Sequence, residues 1–180
     1  MGGYMPSNFY LAIPVVLQHE GGFIDSPNDP GGATDYGVSL RWLKAQGLLT
    51  ELEHSTQTDD PILAVKRMTQ ADASGFYRQF WWDAYKYTTI DSQPVANKIL
   101  DMSVNLGAPR AHRMVQSAVG VKADGVLGPT TYGEINHTQN TSLILTLKNA
   151  QAAFYRNLAA KKPQMNVFLA GWLRRASYGG

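Results

Sequence analysis

The sequence predicts a mainly α fold carrying one small β-hairpin. Three observations lead there. Apolar residues recur at helical spacing through most of the 180 residues. Glycine, proline and capping residues punctuate them where helices should start and stop. Strand-like residues are confined to the flanks of one glycine-rich loop.

The elements follow in order. A first helix should run from Phe9 to Glu20, with Phe9, Ile13, Val16 and Leu17 on one face and Gly21-Gly22 as its stop. Phe23–Ile24 and Tyr36–Val38 are the strand candidates. Ser39 reads as the N-cap of a helix closing at Gly47. Thr50 to Asp60 reads as a polar stretch, after which Pro61 opens a helix at its first turn. Thr69-Gln-Ala-Asp72 has the form of a capping box ahead of an aromatic run. In that run Phe76, Tyr77, Phe80, Trp81, Trp82 and Tyr85 have the helical spacing of core residues. Pro94–Leu106 should be a helix ended by Gly107 and Pro109, and Ala111–Val119 another ended by Gly120. Asp124-Gly125 and Gly128-Pro129 make a turn that feeds a short helix from Thr130. The longest helix should span Thr141–Lys161, stopping before Pro163, and a last one Met165–Arg175. Met1–Met5 reads as a short leader outside the fold.

Composition bounds the function. Hydrophobic content of 44% and charged content of 17% are globular values, and no apolar run is long enough to cross a membrane. The N-terminus lacks a basic region followed by an apolar core, so no cleaved signal peptide is expected. Cysteine is absent, which excludes disulfides and thiolate chemistry. A net charge of +2 suits an anionic polymer but is too weak to argue for nucleic acid. His19, His54, His112 and His137 lack metal-ligand spacing, and Pro27 breaks the EF-hand pattern around Asp25 and Asp29. No metal or cofactor is expected.

Glu20 stands where the first helix calls for a hydrophobe, three residues beyond Leu17 and four beyond Val16. Partial burial and the negative end of the helix dipole both disfavour ionisation of a carboxyl placed there. That is how a carboxylic acid is kept protonated for general-acid catalysis. A surface glutamate at a frayed helix end fits the same pattern. The loop beyond it holds five glycines and two prolines in the eighteen residues from Gly21 to Val38, too many for a helix and too long for a mere connector. Asp29 and Thr34 put a second carboxylate and a hydroxyl on it. A carboxylic acid and a carboxylate across a cleft are the usual equipment for glycosidic hydrolysis.

His19-Glu20-Gly21-Gly22-Phe23 and the block Asp29 to Val38 resemble the glycoside hydrolase family 108 N-acetylmuramidases, which include phage endolysins and secretion-associated muramidases. Asp101 to Gly107, Gln116, Val119 to Thr130 and Phe168 to Arg175 are similar to the C-terminal peptidoglycan-domain region that accompanies that family. The resemblance spans Phe9 to Ala176. It implies a lysozyme-like helical fold in a single compact domain over residues 6–180, with a catalytic region over 6–88 and a peptidoglycan-domain region over 89–180. It also implies that Glu20 is catalytic. The wider phage lysozyme pattern has eight residues between Glu and Asp, as between Glu20 and Asp29, and five residues between Asp and Thr. Here four residues separate Asp29 from Thr34, so Asp35 holds the counted position while Thr34 fits the family block. Both remain candidates for the third active-site group.

The function implied is hydrolysis of the β-1,4 bond between N-acetylmuramic acid and N-acetylglucosamine. Bacterial peptidoglycan is the expected partner of a monomer, made in a host cytoplasm and acting in the periplasm after release. Tyr36 could wall a sugar ring or pack in the core. Asp101 and Asn105, four apart on a helix face with Lys98, could line the sugar cleft or form a solvated face. The Asp124–Thr130 segment is similar to peptidoglycan-binding modules but reads first as a turn and helix start. The last helix, with Val167, Phe168, Leu169, Trp172 and Leu173 beside Lys161, Lys162, Arg174 and Arg175, either packs on the core or makes weak contact with an anionic membrane. A chitinase- or chitosanase-like glycosidase and a non-catalytic wall-binding module are the alternative functions.

Overall fold

The computed structural model describes residues 6–25 and 31–178. Among them it is mainly α with a small hairpin, as expected. The helices are α1 Phe9–Glu20, α2 Leu40–Gln46, α3 Leu49–Ser55, α4 Pro61–Arg67, α5 Gln70–Tyr77, α6 Gln93–Leu106, α7 Ala108–Ala118, α8 Pro129–His137, α9 Asn140–Lys161 and α10 Asn166–Ser177. Strands β1 Thr34–Asp35 and β2 Val38–Ser39 pair antiparallel. By internal contacts the chain divides into two compact units, residues 16–78 and residues 6–15 with 79–178. This division differs from the expected boundary after residue 88. The N-terminal segment belongs with the second unit because Ser7 Oγ donates to the Tyr87 carbonyl at 2.8 Å, and the Phe9 ring meets Trp82 edge-on at 5.8 Å.

In the unit of residues 16–78, local signals build the helices. Ser39 Oγ accepts from Trp42 N at 3.2 Å, and Gly47 closes α2 with φ 71°. Asp60 caps α4 through the Ile62 and Leu63 amides, with Pro61 at the first turn. Thr69 and Asp72 form the full capping box of α5. Val16, Val38, Leu43, Leu52, Val65 and Tyr77 are buried together in this unit's core. Helix α3 occupies part of the stretch expected to be merely polar. It buries Leu52 alone, which leaves its outer residues polar and its periodicity faint. The aromatic run after α5 departs from the expected α-helix: Arg78–Asp83 is a π-helix, so Phe80 to Trp82 do not follow α spacing.

In the other unit α6 is the hub, burying nine of its side chains between α7 and α9 while α10 packs on α9. Its buried lysine is matched across the unit. Lys98 Nζ donates to Gln151 Oε1 at 2.8 Å and to the carbonyls of Ala176 and Tyr178 at 2.9 and 2.8 Å, which ties down the end of α10. Burial lowers its ammonium to about 8, against the favourable pull of Asp101. His112 Nε2 lies 2.7 Å from Tyr87 Oη and its Nδ1 3.2 Å from the Gly125 carbonyl. A carbonyl only accepts, so Nδ1 carries the proton. Helix α7 starts three residues earlier than expected, because Pro109 opens it rather than ending α6.

Candidate active site

Glu20 is the last residue of α1, whose buried stripe of Phe9, Ala12, Ile13 and Val16 leads to it at helical spacing. Gly21, at φ 76°, turns the chain out of the helix. Glu20 is thus half-buried. Beyond Gly21 the chain returns toward it. Ile24 and Thr34 exchange backbone hydrogen bonds of 2.8 Å each way, which brings both ends of the glycine loop together.

Beyond Thr34 the chain reverses through Tyr36-Gly37, the two-residue turn between Asp35 and Val38. Both turn residues have positive φ, 47° and 77°, the conformation that suits a right-twisted hairpin. For tyrosine this backbone costs about 1–2 kcal/mol. Two side chains hold it. Asp35 Oδ1 accepts from the Tyr36 amide at 3.0 Å, and the buried Tyr77 hydroxyl donates to the Tyr36 carbonyl at 2.9 Å. The turn is thereby fastened to α5. Its tip is pressed against the acid: a β-carbon on Gly37 would lie 2.7 Å from Glu20 Oε2 and 2.5 Å from Tyr77 Oη. A side chain there would displace one or both. Tyr36 is therefore a turn residue, not the strand residue expected.

Thr34 is half-buried and its hydroxyl donates to the Gly32 carbonyl at 3.1 Å. Asp35 points to the opposite side of β1 and is buried. Burial pushes its carboxyl above the usual range, partly opposed by the Tyr36 amide. Asp29 lies outside the described residues. Asp101 and Asn105 belong to the other unit and neither sits on a solvated face. Asp101 is 1% exposed and its Oδ1 is paired with Arg175 at 2.9 Å, which anchors α10. Asn105 Oδ1 accepts from the Tyr155 hydroxyl. Their helix spacing was legible; the cationic and phenolic partners that engage them come from 74 and 50 residues away. Sequence reasoning missed Tyr77 and Gly37 as parts of the site. The dipeptide Tyr36-Gly37 between strand-forming residues is the signal that a tight turn leaves. No group of three His, Asp or Glu among the described residues could hold a metal ion.

A half-sheltered carboxyl at a helix terminus, walled by a strained hairpin and a buried tyrosine, has the form of an acid catalyst's site in a hydrolase. Known proteins name the class. Residues 13–107 match the family described as Glycosyl hydrolase 108, and residues 110–177 match a family described as Predicted Peptidoglycan domain. Among solved structures the chain is similar to SagA of Brucella abortus, with 30% identity over 94% of this chain and 89% of that one and a TM-score of 0.71. No curated protein matches it. The chain belongs to the glycosyl hydrolase 108 family, and with its second matched region it is a peptidoglycan hydrolase.

Proposed function

We propose that the bond cut is the β-1,4 link from N-acetylmuramic acid to N-acetylglucosamine. The observation that carries this reading is the fit of Gly37 and Tyr77 around the Glu20 carboxyl, which holds one acid in one place beside the hairpin. Glu20 protonates the leaving glycosidic oxygen. Asp29 activates water or stabilises the oxocarbenium-like charge, and Thr34 positions that water. Tyr36, half-buried at the turn, walls the sugar ring. Glu20→Gln should keep the fold and wall binding while losing nearly all release of reducing ends from sacculi. Wild-type products should end in reducing muramic acid by mass spectrometry. Full lysis by the variant would end the assignment, and cleavage of chitin oligomers in preference to sacculi would move the enzyme to the chitinase alternative.

The setting we propose is lysis of a bacterial host by a monomer that reaches the wall in the periplasm. The lack of cysteine supports it, since folding then does not depend on the redox state of either compartment. The C-terminal helix adds contact with an anionic lipid surface. Residues 135–180 carry six Lys and Arg and no Asp or Glu, in a chain with 16 against 14 overall. At the start of α10, Val167 and Phe168 are 79% and 53% exposed, while Arg175 and Ala176 near its end are buried. Apolar tips among cations suit anionic bilayers. The protein should sediment with phosphatidylglycerol vesicles and not with phosphatidylcholine ones, and Val167→Ser with Phe168→Ser should abolish this. Equal sedimentation with both lipids would refute it.

A further inference from the structure

We propose that the groove between α7 and α9 binds the carboxylates of the short peptides branching from peptidoglycan strands, an inference resting on the peptidoglycan reading above. The groove is a cavity of about 390 Å³ lined by Arg110, Arg113, Met114 and Ser117 of α7, Ala118 at its end, and Thr146 and Ala150 of α9. Arg110, Arg113 and Ser117 share one face at spacings of three and four.

The Arg110 guanidinium is held by two contacts, and that of Arg113 lies beside Gly125. Arg110 lies over the Phe154 ring, 4.8 Å from its centroid, and donates to the Leu106 carbonyl at 3.4 Å, at the end of α6. Arg113 rests against Gly125. A β-carbon at that glycine, whose φ is 88°, would lie 3.0 Å from Arg113 Nη1 and 3.0 Å from the Pro109 carbonyl. Gly125 is itself fixed, its amide donating to Gln116 Oε1 at 2.7 Å and its carbonyl facing His112. The Asp124-Gly125 motif thus acts as a backstop for Arg113. The Asp124 carboxylate is turned to its own loop, accepting from Gln116 Nε2 and the Val126 amide.

A guanidinium has five N–H donors in a planar fork that matches a carboxylate bidentately. Two such forks and the Ser117 hydroxyl beside the apolar side chains of Met114, Ala118 and Ala150 describe a receptor for a small peptide that alternates alanines with acids. Peptidoglycan stem peptides have that chemistry. Exposed ion pairs are individually weak, so the groove suits a ligand repeated many times along a wall, where avidity makes up for affinity.

Titration of the full chain with the tetrapeptide L-alanyl-γ-D-glutamyl-meso-diaminopimelyl-D-alanine tests this, followed by chemical shifts or calorimetry. Arg110→Gln with Arg113→Gln should weaken binding at least tenfold while the thermal midpoint stays near wild type. The same peptide with its carboxyls amidated should bind no better to wild type than the acid form does to the variant. Undiminished binding by the variant, or inorganic phosphate binding as tightly as the peptide, would overturn the proposal. Release of reducing ends by wild type is a separate reading. Its failure with peptide binding intact would remove the muramidase and leave the groove; the reverse would remove the groove alone.

Discussion

Gly37 and Glu20 occupy what is nearly the same space: a β-carbon on the glycine would stand 2.7 Å from both Cγ and Oε2 of the acid. The hairpin tip is therefore a wall that limits where the carboxyl proposed as the catalytic acid can be. Gly37→Ala should force Glu20 aside, since a flexible side chain yields before backbone does. Alanine at φ 77° adds about 1–2 kcal/mol of strain. Activity on sacculi should fall about 100-fold, as expected for an acid misplaced by an ångström. A kinetic assay beside a denaturant melt checks it, and wild-type turnover would show that the contact is irrelevant.

Tyr77 acts through the turn and is a positioning residue. Tyr77→Phe removes the hydroxyl that donates to the Tyr36 carbonyl. The loss should be about 1–3 kcal/mol of stability, with kcat on soluble glycan falling several-fold and KM little changed. A change confined to KM would contradict this role.

Thr34 and Asp35 are separable by substitution. If Thr34 positions water, Thr34→Val should lose most activity while Asp35→Asn keeps it; the opposite result would transfer the role to Asp35. Stability gives an independent readout. Burial raises the Asp35 carboxyl in the folded state, so ionisation is harder folded than unfolded. Asp35→Asn should match wild type below about pH 3.8, the unfolded value, and then become the more stable of the two as pH rises through the folded value. Thermal midpoints across that range measure the difference.

His112 should make the other unit acid-sensitive. Its folded affinity for protons is lowered by burial, so the unfolded chain binds them better. Tyr85, Tyr87 and the Gly125 carbonyl surround the ring. Its contribution is complete above about pH 6.5 and shrinks as pH falls, by at most about 1.4 kcal/mol per unit. His112→Gln should flatten the fall in thermal midpoint below pH 6.5. Parallel wild-type and variant curves would exclude His112 as its source.

What the sequence determined alone is local. Caps such as Ser39 with Gly47, the Thr69–Asp72 box, Asp60 before Pro61 and the glycine after Glu20 act over short stretches of chain, so a linear reading sees both partners. The same holds for Glu20, whose intrusion into an apolar stripe needs only its own helix to be noticed. Helix α3 escaped because one buried leucine leaves almost no period to read.

Tertiary structure decided everything that depends on partners far apart in sequence. Asp101 and Asn105 look like a polar helix face until Arg175 and Tyr155 arrive to pair with them. Tyr77 looks like core until its hydroxyl meets a carbonyl 41 residues earlier. Burial and hydrogen bonding are properties of pairs, and a side chain's chemistry is set by whichever neighbour the fold delivers. The sequence named the acid; the fold supplied the glycine and tyrosine that hold it still.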